Sequence, residues 1–292
     1  MKSKLIPLLA VGLALAGTAL AQTPAAPKLV LPQASPPATL KQQVGITDIE
    51  VTYNRPGVKG RKIFGGLVPY GEIWRTGANS ATKITFSTDV KIGGAAVPAG
   101  TYELFSIPGE QEWTVIIHKN MSQWGSYAYD PKNDVARVTA RVSKLPSLVE
   151  TFWIGINDVR DTSATLNLNW EYTRVSVPLT VDTVGMLAPK IEAAIKEQAK
   201  PNAMLLFSSA MFYYENDHDL PKALEWINAA IAARPDQMWM IYRKGLILEK
   251  MGDKAAARAA AEESLALAEK EKPGELREEY VRLNQALLAR VK

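Results

Sequence analysis

The chain has 292 residues, of which 47% are hydrophobic and 22% are charged, and it contains no cysteine. This length suffices for two domains, and the composition excludes wholesale disorder. The formal net charge of +4 is small and its basic residues are mostly interspersed with acids, so we expect no nucleic-acid partner. Without cysteine, the chain has no disulfide, no thiolate chemistry and no cysteine for lipid attachment.

Residues 1–21 have the pattern of a secretory signal peptide. Lys2 and Lys4 precede an apolar run that ends in the small-residue sequence Ala19-Leu20-Ala21. The run is too short and too rich in small residues for a permanent membrane span. We therefore predict cleavage after Ala21, a mature chain without a membrane span, and a periplasmic or secreted location. Loss of the two lysines lowers the net charge to about +2.

The next segments predict a linker and then a β domain. Residues 22–38 are rich in proline and alanine, which is typical of a linker. From residue 39 to residue 183, at least eight short β-prone runs alternate with turn signals such as Gly93-Gly94 and Pro98-Ala99-Gly100. No convincing helix separates these runs. We predict an antiparallel β-sandwich or barrel, so the N-terminal domain is mainly β.

Residues 184–292 change to alanine- and leucine-rich segments with helical spacing. Asp219 and Ala223 recur 34 residues later as Asp253 and Ala257. This period resembles the tetratricopeptide repeat, with units at about 204–237 and 238–271 and a capping helix at 275–292. Small residues stand where the paired helices of that repeat touch: Ala223, Ala230, Gly245 and Ala257. We predict an all-α helical-repeat domain that binds an unknown protein or peptide.

A stretch rich in glycine and cations interrupts the β-prone runs between residues 55 and 79. It reads RPGVKGRKIFGGLVPYGEIWRTGAN, and it lacks the glycine spacing and the Lys-Ser/Thr pair of a P-loop. A glycine-rich backbone beside cations can still form an anion-binding concavity. The alternative is a crossover loop in which Phe64, Tyr70 and Trp74 close the end of the sandwich while the cations remain in solvent.

The same stretch supplies the candidate ligand-binding residues, which are Arg55, Lys59, Arg61, Trp74, Arg75 and Asn79. Guanidinium groups match the geometry of carboxylates and phosphates, and Trp74 would serve as a packing platform. We therefore predict an anionic or carbohydrate ligand at the β domain. In the other interpretation, the guanidiniums bind loop carbonyls and hold the loop in place. We expect Arg75 to have this scaffold role and Arg61 to face the ligand.

Histidine and acid residues suggest two further sites. A hydrolase could use Arg75, Asn79 and His118 with a nearby acid, whereas an ordinary strand-end histidine with a single hydrogen bond is the alternative. Asp217, His218 and Asp219 lie together, but no set of ligands with zinc spacing accompanies them. A polar turn between helices explains them, and we predict no metal and no cofactor.

Three aromatic residues, Trp124, Tyr127 and Tyr129, stand in a loop with glycine and serine. Exposed aromatic rings of this kind stack on sugar faces or on partner side chains. Burial beneath the loop is the alternative.

Several motifs resemble a family of exported bacterial proteins known only as a domain of unknown function. They are ASP at 34–36, YNRPGVKGR at 53–61, WRTGAN at 74–79, PAGTY at 98–102 and EWTVIIHK at 112–119. The resemblance covers about residues 35–181 and implies a signal peptide followed by this β domain, sometimes with repeats after it. It implies no established activity. We therefore expect an exported, non-enzymatic binding or scaffolding protein of the cell envelope, with the hydrolase as the alternative.

Overall fold

The computed structural model describes residues 31–119 and 123–292. The predicted signal peptide and most of the predicted linker lie outside these residues. Residues 37 and 38, the last two of the predicted linker, belong to the first strand.

The described N-terminal part is an antiparallel β structure, as predicted. Its strands lie in the order β1-β2-β3-β6-β7-β8-β9-β4-β5, and every pair of neighbours is antiparallel. The strands are β1 (Pro37–Val44), β2 (Thr47–Asn54), β3 (Thr82–Phe86), β4 (Val90–Ile92), β5 (Ala95–Val97), β6 (Gly100–Ile107), β7 (Glu112–His118), β8 (Asp134–Asn157) and β9 (Ser163–Val181).

Two long strands join the two halves of this sheet. The first part of β8 pairs with β7. From Val142 to Asn157 it pairs with β9, with register shifts on both sides of Val149. Four of the predicted runs therefore merge into two strands, β8 and β9. Buried side chains from both halves share one hydrophobic core, which includes Ile49, Leu104, Phe152 and Leu166. The predicted hairpin at Gly93-Gly94 connects β4 to β5, and both glycines have positive φ, as tight hairpins require.

The described C-terminal part is all α, as predicted. Its helices are α1 (Thr183–Lys196), α2 (Ala203–Glu215), α3 (Leu220–Ala233), α4 (Met238–Lys250), α5 (Lys254–Lys270) and α6 (Glu275–Arg290). No helix in the described part of the chain is long and apolar enough to cross a membrane.

The 34-residue period corresponds to two successive helix pairs. Helix α2 contacts α3 and helix α4 contacts α5. Asp219 caps α3 by accepting a hydrogen bond from the backbone N–H of Lys222, and Asp253 caps α5 by accepting one from Ala256. Ala223 and Ala257 are fully buried, and Gly245 lies so close to Leu287 of α6 that a Cβ there would stand 2.8 Å from its Cδ2. Small residues therefore permit close helix contacts.

Candidate functional site

The first half of the connection between β2 and β3 is fixed to the middle of β8. The Val58 N–H donates to the carbonyl of Glu150 at 2.7 Å, and the Phe152 N–H donates to the carbonyl of Pro56 at 2.9 Å. Arg55 Nε donates to the Phe152 carbonyl at 3.0 Å, and the Lys59 N–H donates to the Glu150 carboxylate at 2.9 Å. Arg55 and Lys59 therefore hold this segment in place.

Arg61 ends this half of the connection and bonds to the same backbone. Its Nε donates to the carbonyl of Val58 at 3.1 Å, and one Nη donates to the carbonyl of Gly57 at 2.6 Å. The residue is otherwise exposed. Two of the guanidinium nitrogens of Arg61 thus already bind carbonyls, and the expectation that Arg61 faces a ligand stays a prediction.

Trp74 lies in the core rather than on the surface, with 8% of its area exposed. Its ring stacks on Trp170 at 5.9 Å between centroids and contacts Trp113 and Phe152 edge to face. The indole N–H donates to the carbonyl of Gly77 at 3.0 Å. Phe64 joins the same cluster, whereas Tyr70 is 40% exposed. The crossover-loop interpretation is therefore confirmed for Phe64 and Trp74.

An open cleft of about 460 Å³ lies above this aromatic cluster. We call it the cleft. Most of its lining residues belong to the β2–β3 connection: Pro56, Arg61, Leu67, Val68, Pro69, Glu72, Ile73, Trp74, Arg75, Gly77, Ala78 and Asn79. The others are Ser126 and Tyr127 from the β7–β8 connection, Trp170 from β9 and Ser35 from the start of the described β domain. Of the six predicted ligand-binding residues, Arg61, Trp74, Arg75 and Asn79 thus come together, and Arg55 and Lys59 are not among its lining residues.

Arg75 differs from Arg61 in its hydrogen bonding. Its Nε is buried and has no hydrogen-bond partner among the residues that the structure describes. A buried donor without a partner costs stability, and such groups in native structures are often functional. The expectation that Arg75 is the scaffold arginine is therefore not met by its contacts.

The backbone that follows Arg75 has positive φ at Thr76 and at Asn79, and it is strained at Thr76. Thr76 has φ of +50° and Asn79 has φ of +60°, and the first value is unusual for a β-branched residue. Two hydrogen bonds hold Thr76 in this conformation: its hydroxyl bonds with the Ser106 hydroxyl at 2.9 Å, and its carbonyl accepts from the Thr82 hydroxyl at 2.6 Å. Strain that the surroundings maintain is a common property of ligand sites.

Residues 123–127 supply one wall of the cleft through Ser126 and Tyr127. The Gly125 N–H donates to the carbonyl of Asn79 at 3.0 Å, and the Ser126 hydroxyl donates to the carbonyl of Ile73 at 3.3 Å. Gly125 has φ of +72°, in the region that favours glycine. A Cβ on Gly125 would lie 2.8 Å from Tyr127 Cε2 and 3.5 Å from an Nη of Arg75. The absence of a side chain there allows the Tyr127 ring and the Arg75 guanidinium to be neighbours.

Glu103, which the sequence analysis missed, anchors this wall from below. Its side chain is fully buried, and its two carboxylate oxygens accept from the Gln123 backbone N–H at 2.8 Å and from Gln123 Nε2 at 2.7 Å. Glu103 follows Tyr102 and precedes Leu104 in a largely apolar strand. An acid within such a strand is the signal that could have identified it, because a buried carboxylate requires partners.

His118 lies beneath the β7–β8 connection and is fully buried. Its Nε2 is 3.1 Å from the backbone carbonyl of Asp130, and its Nδ1 is 3.9 Å from a carboxylate oxygen of Glu103. Its ring also packs against Phe105 and Tyr129. Arg75 and Asn79 line the cleft, but His118 is not among the lining residues. The three residues of the hydrolase alternative thus occupy two different environments.

The aromatic residues of the β7–β8 connection divide into two kinds. Trp124 is 66% exposed and Tyr127 is 88% exposed, so burial beneath the loop is wrong for both. Tyr129 packs against Phe105, and its hydroxyl donates to Asp134 at 2.8 Å. Burial and this carboxylate raise the pKa of Tyr129 to about 12.

The described residues contain no group of three or more metal-ligating side chains placed to hold an ion. The Asp217–Asp219 turn lies between α2 and α3, where Asp217 pairs with Lys250 at 2.6 Å and His218 packs on the Tyr213 ring. Both acids of this turn thus have structural roles, Asp219 as the cap of α3.

Comparison with known proteins gives a family match for the β domain. A search of curated proteins finds no match. Residues 35–179 match the family described as protein of unknown function (DUF2911), which coincides with β1 to β9 almost completely. The β domain of this chain is therefore similar to that family, a group of proteins of unknown function.

Proposed function

We propose that this chain is an exported, non-enzymatic binding or scaffolding protein of the cell envelope. The β domain binds an anionic or carbohydrate ligand in the cleft, and the helical repeats bind a protein or peptide. Export is supported by the signal-peptide pattern of residues 1–21.

The observation that carries the ligand proposal is the buried Arg75 Nε without a partner in the described part of the chain. A guanidinium whose donors are unused, placed in a concave site, is suited to a carboxylate or another oxyanion. Tyr127 beside it offers an exposed aromatic face. The lining combines these groups with several polar side chains, including Glu72, Asn79 and Ser126, which suits a polar ligand.

The proposal for the helical part rests on its two helix pairs. Helices α2 to α5 repeat with the 34-residue spacing between Asp219 and Asp253, and α6 covers the end of the second pair through Leu287. Stacked helix pairs of this size form extended surfaces that bind other proteins.

Calorimetric titration of the full chain with acidic and neutral saccharides and with inorganic anions tests the ligand proposal. We expect at least one of these ligands to bind and the Arg75→Gln variant to lose that binding. Arg141→Gln is the matched control, since the Arg141 side chain is 91% exposed and its ion pair with Glu112 is long, at 3.8 Å. Failure of every ligand to bind, or equal loss in both variants, would contradict the proposal.

Export has a separate test. The mass of the native protein should correspond to a chain that begins at Gln22. An intact Met1 in the native protein would show that residues 1–21 are not removed.

A further inference from the structure

We infer that the cleft takes a saccharide bearing a single carboxylate, with the carboxylate on Arg75 and the sugar face on Tyr127. This inference rests on the proposed function and names the class of ligand that binds at the same site.

The charges that line the cleft favour one negative group. Two cations, Arg61 and Arg75, and one acid, Glu72, are among the lining residues. Arg61 already donates from Nε and from one Nη to the carbonyls of Val58 and Gly57. Arg75 is therefore the lining guanidinium with unused donors, and Glu72 opposes a second negative charge on the ligand.

Gly125 places the charged group and the aromatic face next to each other. The Tyr127 ring and an Nη of Arg75 both lie within 3.5 Å of the point that a Gly125 Cβ would occupy. A ligand that contacts one of these groups therefore reaches the other. The apolar face of a sugar ring suits an exposed tyrosine, and a carboxylate attached to that ring suits the neighbouring guanidinium.

The rest of the cleft offers groups suited to hydroxyls. Glu72 and Asn79 line it with acceptors and a donor, and Ser126 keeps hydroxyl lone pairs while it donates to the Ile73 carbonyl. A volume of about 460 Å³ is within the range of sites for small ligands. A small inorganic anion would use Arg75 but would leave Tyr127 and these polar groups without contacts.

Three probes test the inference by calorimetry on the full chain: a glucuronate–glucose disaccharide, the neutral glucose–glucose disaccharide and inorganic phosphate. We expect the acidic disaccharide to bind at least tenfold more tightly than either of the others, because a hydrogen bond to a charged group contributes more than a neutral one. Arg75→Gln should reduce this affinity tenfold or more and remove the preference over the neutral disaccharide. Tyr127→Ala should weaken both disaccharides and leave any phosphate binding unchanged.

Two controls match these variants in residue type. Arg141→Gln and Tyr172→Ala replace exposed residues that are not among the lining residues, with Tyr172 being 52% exposed, and both should bind as the unmodified chain does. Equal binding of phosphate and the acidic disaccharide, or of the two disaccharides, would overturn this inference while the proposed binding function stands. Absence of binding for all three probes and for the wider ligand set would overturn both.

Discussion

The arginines in the two halves of the connection between β2 and β3 differ in their hydrogen bonding. In the first half, Arg55 and Arg61 donate to the backbone carbonyls of Phe152, Val58 and Gly57. In the second half, Arg75 keeps a buried Nε without a partner among the described residues. Arginines of the same stretch of sequence therefore differ in whether their guanidinium groups donate hydrogen bonds to the protein's own carbonyls.

This difference separates scaffold from site within a single connection. The first half bonds along β8 through the backbone of Pro56 and Val58. Non-glycine residues with positive φ occur in both halves, at Lys59 in the first and at Thr76 and Asn79 in the second. The second half differs in Arg75, whose buried donor without a partner among the described residues costs stability. A protein that retains such costs beside a concave surface is expected to gain binding from them.

The largest expected effect concerns the aromatic cluster around Trp74, above which the cleft lies. Trp74→Ala should reduce the free energy of unfolding by about 3–5 kcal/mol, because it removes a buried indole from the cluster with Trp113, Phe152 and Trp170. Urea denaturation measures the change. Trp124→Ala is the matched control: that ring is 66% exposed, so we expect a change of about 0.5 kcal/mol or less. Similar losses in the two variants would contradict the assignment of Trp74 to the core.

The next effect concerns residues 123–127, which carry Tyr127 next to Arg75. Glu103→Ala leaves the Gln123 backbone N–H and Nε2 without their acceptors, at a cost on the order of 1–3 kcal/mol for each buried donor. Urea denaturation again measures the loss. Glu112→Ala, on the neighbouring strand and with a largely exposed side chain, should change stability by about 0.5 kcal/mol or less. If the Glu103 variant were as stable as the unmodified chain, the buried carboxylate would not anchor the wall.

Local features of this protein could be predicted from sequence, and long-range pairings could not. The 34-residue recurrence of Asp219 and Asp253 predicted the two helix pairs, in which both residues prove to be caps that bond to a backbone N–H only three residues away. Period-two runs likewise indicated the strands, although β1, with few β-branched residues, was partly assigned to the linker.

The pairings in the candidate site join residues that are distant in sequence. Glu103 bonds to Gln123, and Arg55 bonds to Phe152, 97 residues away. No local pattern shows which carbonyls will approach which guanidinium. The sequence therefore indicated that the arginine-rich stretch is unusual, but it could not distinguish Arg61 from Arg75.

The smallest expected effect tests the comparison of the two halves directly. Arg61→Ala removes two hydrogen bonds from an exposed residue and should lower the free energy of unfolding by about 0.5–1.5 kcal/mol. Arg75→Met replaces a buried donor without a partner by an apolar chain of similar length, so stability should stay the same or rise by up to about 1 kcal/mol. The same Arg75→Met variant should lose affinity for the acidic disaccharide. A residue with a scaffold role should lower stability when it is replaced. If Arg75→Met lost more free energy of unfolding than Arg61→Ala, Arg75 would be the scaffold residue and the two roles would be reversed.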